Sequence, residues 1–150
     1  MLSDLTQAIL KDFAEQTIRD IRSRIPDVTG TMSRSLGYRI DSKGLTIFSS
    51  EKYFTVLETG RKPGKRPPID KIEDWVKLKP VPSDISPRSL AFLIARKIGE
   101  EGSLLYRQGG KSGVISKSIN DQAIKENLVD VLDSKVREYV VNEFIKKSVA

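Results

Sequence analysis

Three short stretches of the 150-residue chain hold residue types able to do chemistry. Gly109-Gly110-Lys111-Ser112-Gly113 has the ingredients of a phosphate-cradling loop. That motif, G-x-x-x-x-G-K-[ST], needs a glycine five residues before Gly110, where Leu105 stands, and it needs a strand before it and a helix after it. A flexible turn is the simpler expectation. Asp27 with Asp41-x-Lys43 imitates the carboxylate-carboxylate-lysine set of magnesium-dependent nucleases, in which the carboxylates hold the metal and the lysine supports the attacking water. The chain contains a second acid-x-lysine triplet, Asp133-x-Lys135, so the pattern carries little information.

The third stretch runs from Tyr53 to Pro68, YFTVLETGRKPGKRPP. Its first half is apolar with one carboxylate, Glu58, and its second half places Arg61, Lys62, Lys65 and Arg66 among glycines and prolines without an acid. Cations this dense cannot satisfy one another, so they face water or a partner outside their own loop. Two partner classes fit. Phosphates would be neutralised without regard to sequence. A carboxylate-rich surface on a neighbouring copy would accept the forked donors of arginine. The loop has no interleaved aromatic residues for base stacking, and no recognition-helix or RNA-binding signature is present. Two readings fit Glu58: an anchor for the loop through Arg61 or a backbone amide, and a solvated carboxylate.

Composition narrows the chemistry further. The chain has no histidine and no cysteine, which removes the commonest general base, the commonest metal ligand and every thiolate or disulfide. A non-enzymatic role without cofactors is expected. The net charge is +6, and its excess is local: residues 51–120 carry fourteen basic and eight acidic side chains, against seven and six in 1–50 and five and six in 121–150. An excess of this kind calls for an acidic partner. No run approaches the 18 apolar residues of a membrane span. Leu2 to Ile25 is charged throughout, unlike the apolar core of a signal peptide, so synthesis in the cytoplasm is expected.

The elements that position these residues can be read in order. Leu5, Ile9, Phe13, Ile18, Ile21 and Ile25 recur at helical spacing between Ser3, a cap, and Pro26, a stop. Leu36, Tyr38 and Ile40, then Leu45 and Ile47, alternate about Ser42-Lys43-Gly44 and predict a β-hairpin. Tyr53 to Glu58 reads as one and a half helical turns closed by Gly60. Pro68 starts a helix with the apolar stripe Ile69, Ile72, Trp75 and Val76. Ser86-Pro87 caps another, SLAFLIARKIGEE, which Gly102 ends. Its apolar residues lie all round, which predicts a central core helix. Residues 103–119 form a long glycine-containing stretch, expected to be a flexible arm or a second hairpin that pairs Leu104–Tyr106 with Val114–Ile115. Asn120 then caps a final helix of about 40 Å carrying Ile124, Leu128, Val131, Leu132, Val136, Val140 and Phe144. The expected fold is a single α+β domain over 1–150: an N-terminal helix, a β-hairpin or small antiparallel sheet, middle helices and a long C-terminal helix.

Two segments carry a family resemblance. Gly30-Thr31-Met32-Ser33-Arg34-Ser35-Leu36 resembles the G-x-hydrophobic-x-x-S-hydrophobic lead into the first hairpin of the neck, or tail-completion, proteins of long-tailed bacteriophages. Tyr53-Phe54-Thr55-Val56-Leu57-Glu58-Thr59-Gly60 is similar to the aromatic-x-x-hydrophobic-hydrophobic-E-x-G segment that follows in that family. Pro67-Pro68, the Ile72-to-Trp75 helix and Ser89 to Ala95 extend the likeness over roughly residues 30–102. The resemblance implies a non-enzymatic virion protein, made in the host bacterial cytoplasm. It would form a six- or twelve-fold homo-oligomeric ring at the head–tail junction, against portal, neck or tail-tube proteins and around the DNA channel. On that reading Arg61, Lys62, Lys65 and Arg66 meet a neighbouring subunit or the channel DNA, and Leu104, Leu105 and Tyr106 order against a neighbouring copy.

Overall fold

The structure, a computed structural model, describes residues 2–26, 30–79 and 84–149. It is an α+β protein. The element order is α1 (Leu2–Arg24), α2 (Thr31–Ser35), β1 (Leu36–Asp41), β2 (Gly44–Ser49), a 3-10 turn (Lys52–Thr55), α3 (Val56–Thr59), α4 (Ile69–Leu78), α5 (Pro87–Glu101), α6 (Leu104–Arg107), α7 (Asp121–Ile124), a π-helical turn (Lys125–Val129) and α8 (Asp130–Val149). The chain divides into two compact units. One comprises Met1–Arg24, Leu36–Ser50 and Ser116–Ala150, and the other Ile25–Ser35 and Glu51–Ile115.

The first unit is built around α1. Ile9, Phe13, Ala14, Thr17, Ile18 and Ile21 fall on one helical stripe and are all buried, Ile21 completely. Asp4 near the positive end of the helix and Arg22 and Arg24 near its negative end suit its dipole. The hairpin and α8 pack against α1. Strand register runs from Leu36 opposite Ser49 to Asp41 opposite Gly44. The turn is therefore Ser42-Lys43, with Gly44 already opening β2. The Tyr38 hydroxyl donates to Glu15 Oε1 at 3.2 Å, tying the hairpin to α1.

In α8 the expected single stripe splits. Leu132 and Val136 are half-buried, whereas Val140 and Phe144 are 56% and 73% exposed. The reason is geometric: each step of four residues overshoots a helical turn by about 40°, so three steps wind the stripe off the packed side. Tyr139 and Glu143 take the inward positions instead.

The second unit is helical. Val76 of α4 and Ala91 and Ala95 of α5 are buried where the two helices pack. Arg88 of α5 reaches Asp70 at 2.7 Å and Glu73 at 2.9 Å on α4, and Lys77 holds Glu73 at 2.8 Å. Lys77 first, then Arg88, keeps the Glu73 carboxyl below its ordinary pKa. Ser86 caps α5 by accepting from the Ser89 amide, as its sequence predicts. The central-core expectation for α5 fails: Phe92 and Leu93 are 42% and 40% exposed. Apolar residues surround this helix, but only its alanine side lies against α4.

No strand forms in 103–119, so the second hairpin is absent there. Ser103 caps α6, Gly110 donates to the Leu105 carbonyl, and turns follow. Glycines at 109, 110 and 113 all have positive φ, a backbone shape that suits a compact coil better than a strand.

Candidate functional site: a clamped basic loop

The loop at 61–66 is held at several points. Gly60 ends α3 at φ 76°, and its amide donates to the Val56 carbonyl. Beyond it, the Arg61 amide donates to Ser103 Oγ and the Ser103 amide donates to the Arg61 carbonyl, both at 2.9 Å. The Gly64 amide donates to the Gly99 carbonyl near the end of α5 at 2.8 Å. The approach is close. A Cβ on Gly99 would sit 2.7 Å from Arg66 Cγ, and one on Gly102 would sit 2.9 Å from the Arg61 carbonyl. Gly102 also has φ +85°, which side chains rarely adopt. A side chain at Gly99 or Gly102 would disturb two of these close approaches.

The four cations are presented differently. Arg61 is half-buried; its Nη2 donates to the Lys65 carbonyl at 3.0 Å, and its guanidinium lies 5.6 Å from the Tyr53 ring centre. Arg66 is exposed and lies 5.7 Å from the ring centre of Phe92. Lys62 and Lys65 are exposed. Among the described residues none of the four forms an ion pair with a carboxylate, whereas Lys77, Arg88, Arg96 and Arg107 of the same unit all do. Phe92, 26 residues beyond Arg66, was not legible as part of the loop, whereas Tyr53 opens the same stretch. Phe92 also lines, with Ile69, Arg88, Ser89 and Leu93, an open groove of about 470 Å³.

Glu58 does anchor a loop, but not this one. Its carboxylate accepts from the amides of Gly113 at 3.2 Å and Ile115 at 2.9 Å. Its carbonyl accepts from the Ser112 amide, and the Ser112 hydroxyl donates to the Leu57 carbonyl at 2.6 Å. The stretch expected as a free arm is thus fastened to α3, with Val114 buried. Leu104 and Tyr106 are 59% and 38% exposed, and Leu105 is half-buried. Gly109 to Gly113 is a turn held by these bonds, with no strand before it.

The remaining candidates have local roles. Asp41 Oδ1 accepts from the Lys43 amide at 2.8 Å and Oδ2 meets Arg39 at 3.0 Å, which makes Asp41 a turn-former in the hairpin. Asp27 lies outside the described residues. Among those described, no group of three acidic side chains is arranged to hold a metal ion, and no helix is long and apolar enough to cross a membrane.

A second surface went unnoticed in the sequence. Val140, Val141, Phe144, Ile145 and Val149 are each more than half exposed and occupy the side of α8 away from Leu132, Val136, Tyr139 and Glu143. Following 100° per residue rather than steps of four would have found it. Comparison with protein-family models gives no match, and neither the curated proteins nor the solved structures give a significant one.

Proposed function

We propose that this chain is a virion structural protein of a tailed bacteriophage, forming a ring at the head–tail junction that connects the portal side to the tail around the DNA channel. The observation that carries an assembly role is the exposed apolar side of α8. Five large apolar residues on the outer side of one helix are more than a lone soluble subunit has reason to display. Ring contacts are heterologous and need two unlike surfaces on each copy. The α8 side supplies one. The other is drawn from Leu104, Tyr106, Phe92 and Leu93 of the second unit, which are also exposed. The segments at 30–36 and 53–60, which resemble phage neck proteins, support the head–tail junction as the site of assembly.

Electron micrographs of the protein incubated with portal complexes or tail tubes test this reading. Rings of six or twelve copies are expected, and Phe144→Asp combined with Val140→Asp should abolish them while leaving the subunit folded. A wild-type protein that stays monomeric beside both partners overturns it, as do rings unaffected by the double substitution.

A further inference from the structure

The basic loop lends itself to an inference that does not depend on the assembly reading. Among the described residues of the second unit, Lys52, Lys71, Lys97 and Lys111 stand exposed without an ion pair, while Lys77, Arg88, Arg96 and Arg107 form ion pairs. Arg61, Lys62, Lys65 and Arg66 do not, among the described residues, although their backbone is clamped to Ser103 and Gly99. A floppy, solvated loop would leave its cations free through disorder. Here the backbone that carries them is held, so less ordering cost remains when an anion arrives.

We infer that this loop is a nucleic-acid contact, taking successive phosphates of a sugar–phosphate backbone on Lys62, Lys65 and the N–H edges of Arg61 and Arg66. Two observations favour nucleic acid over an acidic protein. Four cations within six residues match a polymer bearing a charge on every unit, and such a polymer releases its condensed counterions on binding. The guanidinium groups of Arg61 and Arg66 lie 5.6 and 5.7 Å from the ring centres of Tyr53 and Phe92, and each ring is 42% exposed. Exposed rings set among cations are also the means by which single strands are held through their bases. The tertiary structure therefore adds Phe92 to Tyr53, the ring with which the stretch itself begins.

Fluorescence anisotropy of a labelled single strand and a labelled duplex, each titrated across a salt series, tests the inference. Affinity should fall with salt at a logarithmic slope of roughly −2 to −4, for three or four phosphates covered. Lys62→Glu with Lys65→Glu should lower affinity at least about tenfold and flatten the slope by about two. Neither lysine has a carboxylate partner to lose, so thermal unfolding should not change. Equal binding of strand and duplex supports the inference with phosphate as the whole ligand. Tighter binding of the single strand, weakened by Tyr53→Leu, supports it with the rings as base platforms. Absence of binding at low salt overturns it, as does affinity that the lysine reversals leave unchanged. Displacement by polyglutamate as effective as by unlabelled DNA also overturns it and assigns the loop to an acidic protein surface.

Discussion

The two units reach order by different means. The first buries a stripe of large side chains along α1, and its charges nearly balance, with twelve basic and eleven acidic residues. The second buries mainly Val76, two alanines, Val114 and three glycines, and carries fourteen basic residues against nine acidic ones. Its loops are held by backbone hydrogen bonds and by one carboxylate reaching back to two amides. The difference lies in what closes each unit and in its charge; exposed apolar residues occur on both, as Phe92, Leu93, Leu104 and Tyr106 in the second and as the outer side of α8 in the first.

The sharpest way to break this contrast is Ile21→Ala. Ile21 is fully buried, so truncation should cost about 2–5 kcal/mol, read from denaturant unfolding. A cost below about 1 kcal/mol would mean that α1 is not the first unit's core.

A smaller and more local effect is expected from Glu58→Ala, which leaves the Gly113 and Ile115 amides without their acceptor. The loss should be about 1–3 kcal/mol, and amide exchange should quicken at those two residues but not across the hairpin. Unchanged exchange at Gly113 and Ile115 would show that the coil is held by something else.

The smallest effect concerns acid. The Ser118 hydroxyl, ahead of Arg24, keeps Asp20 below its ordinary pKa, and Ser118 Oγ lies 2.6 Å from Asp20 Oδ2. A carboxylate lowered in the folded state contributes stability above its unfolded pKa and loses it as pH falls through the folded value. Asp20 and Glu73 therefore both weaken the protein below about pH 4. The loss should be slight because both sites are reached by solvent. Ser118→Ala should shallow the acid limb of a stability–pH curve by removing the Asp20 part alone. An acid limb identical in wild type and variant would count against that bond.

Much of the fold was legible. Pro26, the Ser86-Pro87 pair, Gly102 and Asn120 mark helix ends because caps and breakers act within a few residues of their own position. The hairpin was legible for the same reason, as alternation about a short turn. Less could be read where one residue's role rests on a distant one. The all-apolar α5 could not reveal which of its sides α4 would cover. The glycine-rich stretch could not reveal that Glu58, 55 residues earlier, would hold its amides.

By itself, then, the sequence determined the positions of the longer helices and the hairpin, the local excess of positive charge, and the lack of histidine and cysteine chemistry, but not the short helices at 31–35 and 104–107. Only the tertiary structure decided which cations go without a carboxylate, which rings stand beside them, and which side of α8 remains uncovered. Secondary structure is set by neighbours in the chain. Pairing and burial are set by neighbours in space, and here these are joined by glycines whose significance lies in what approaches them.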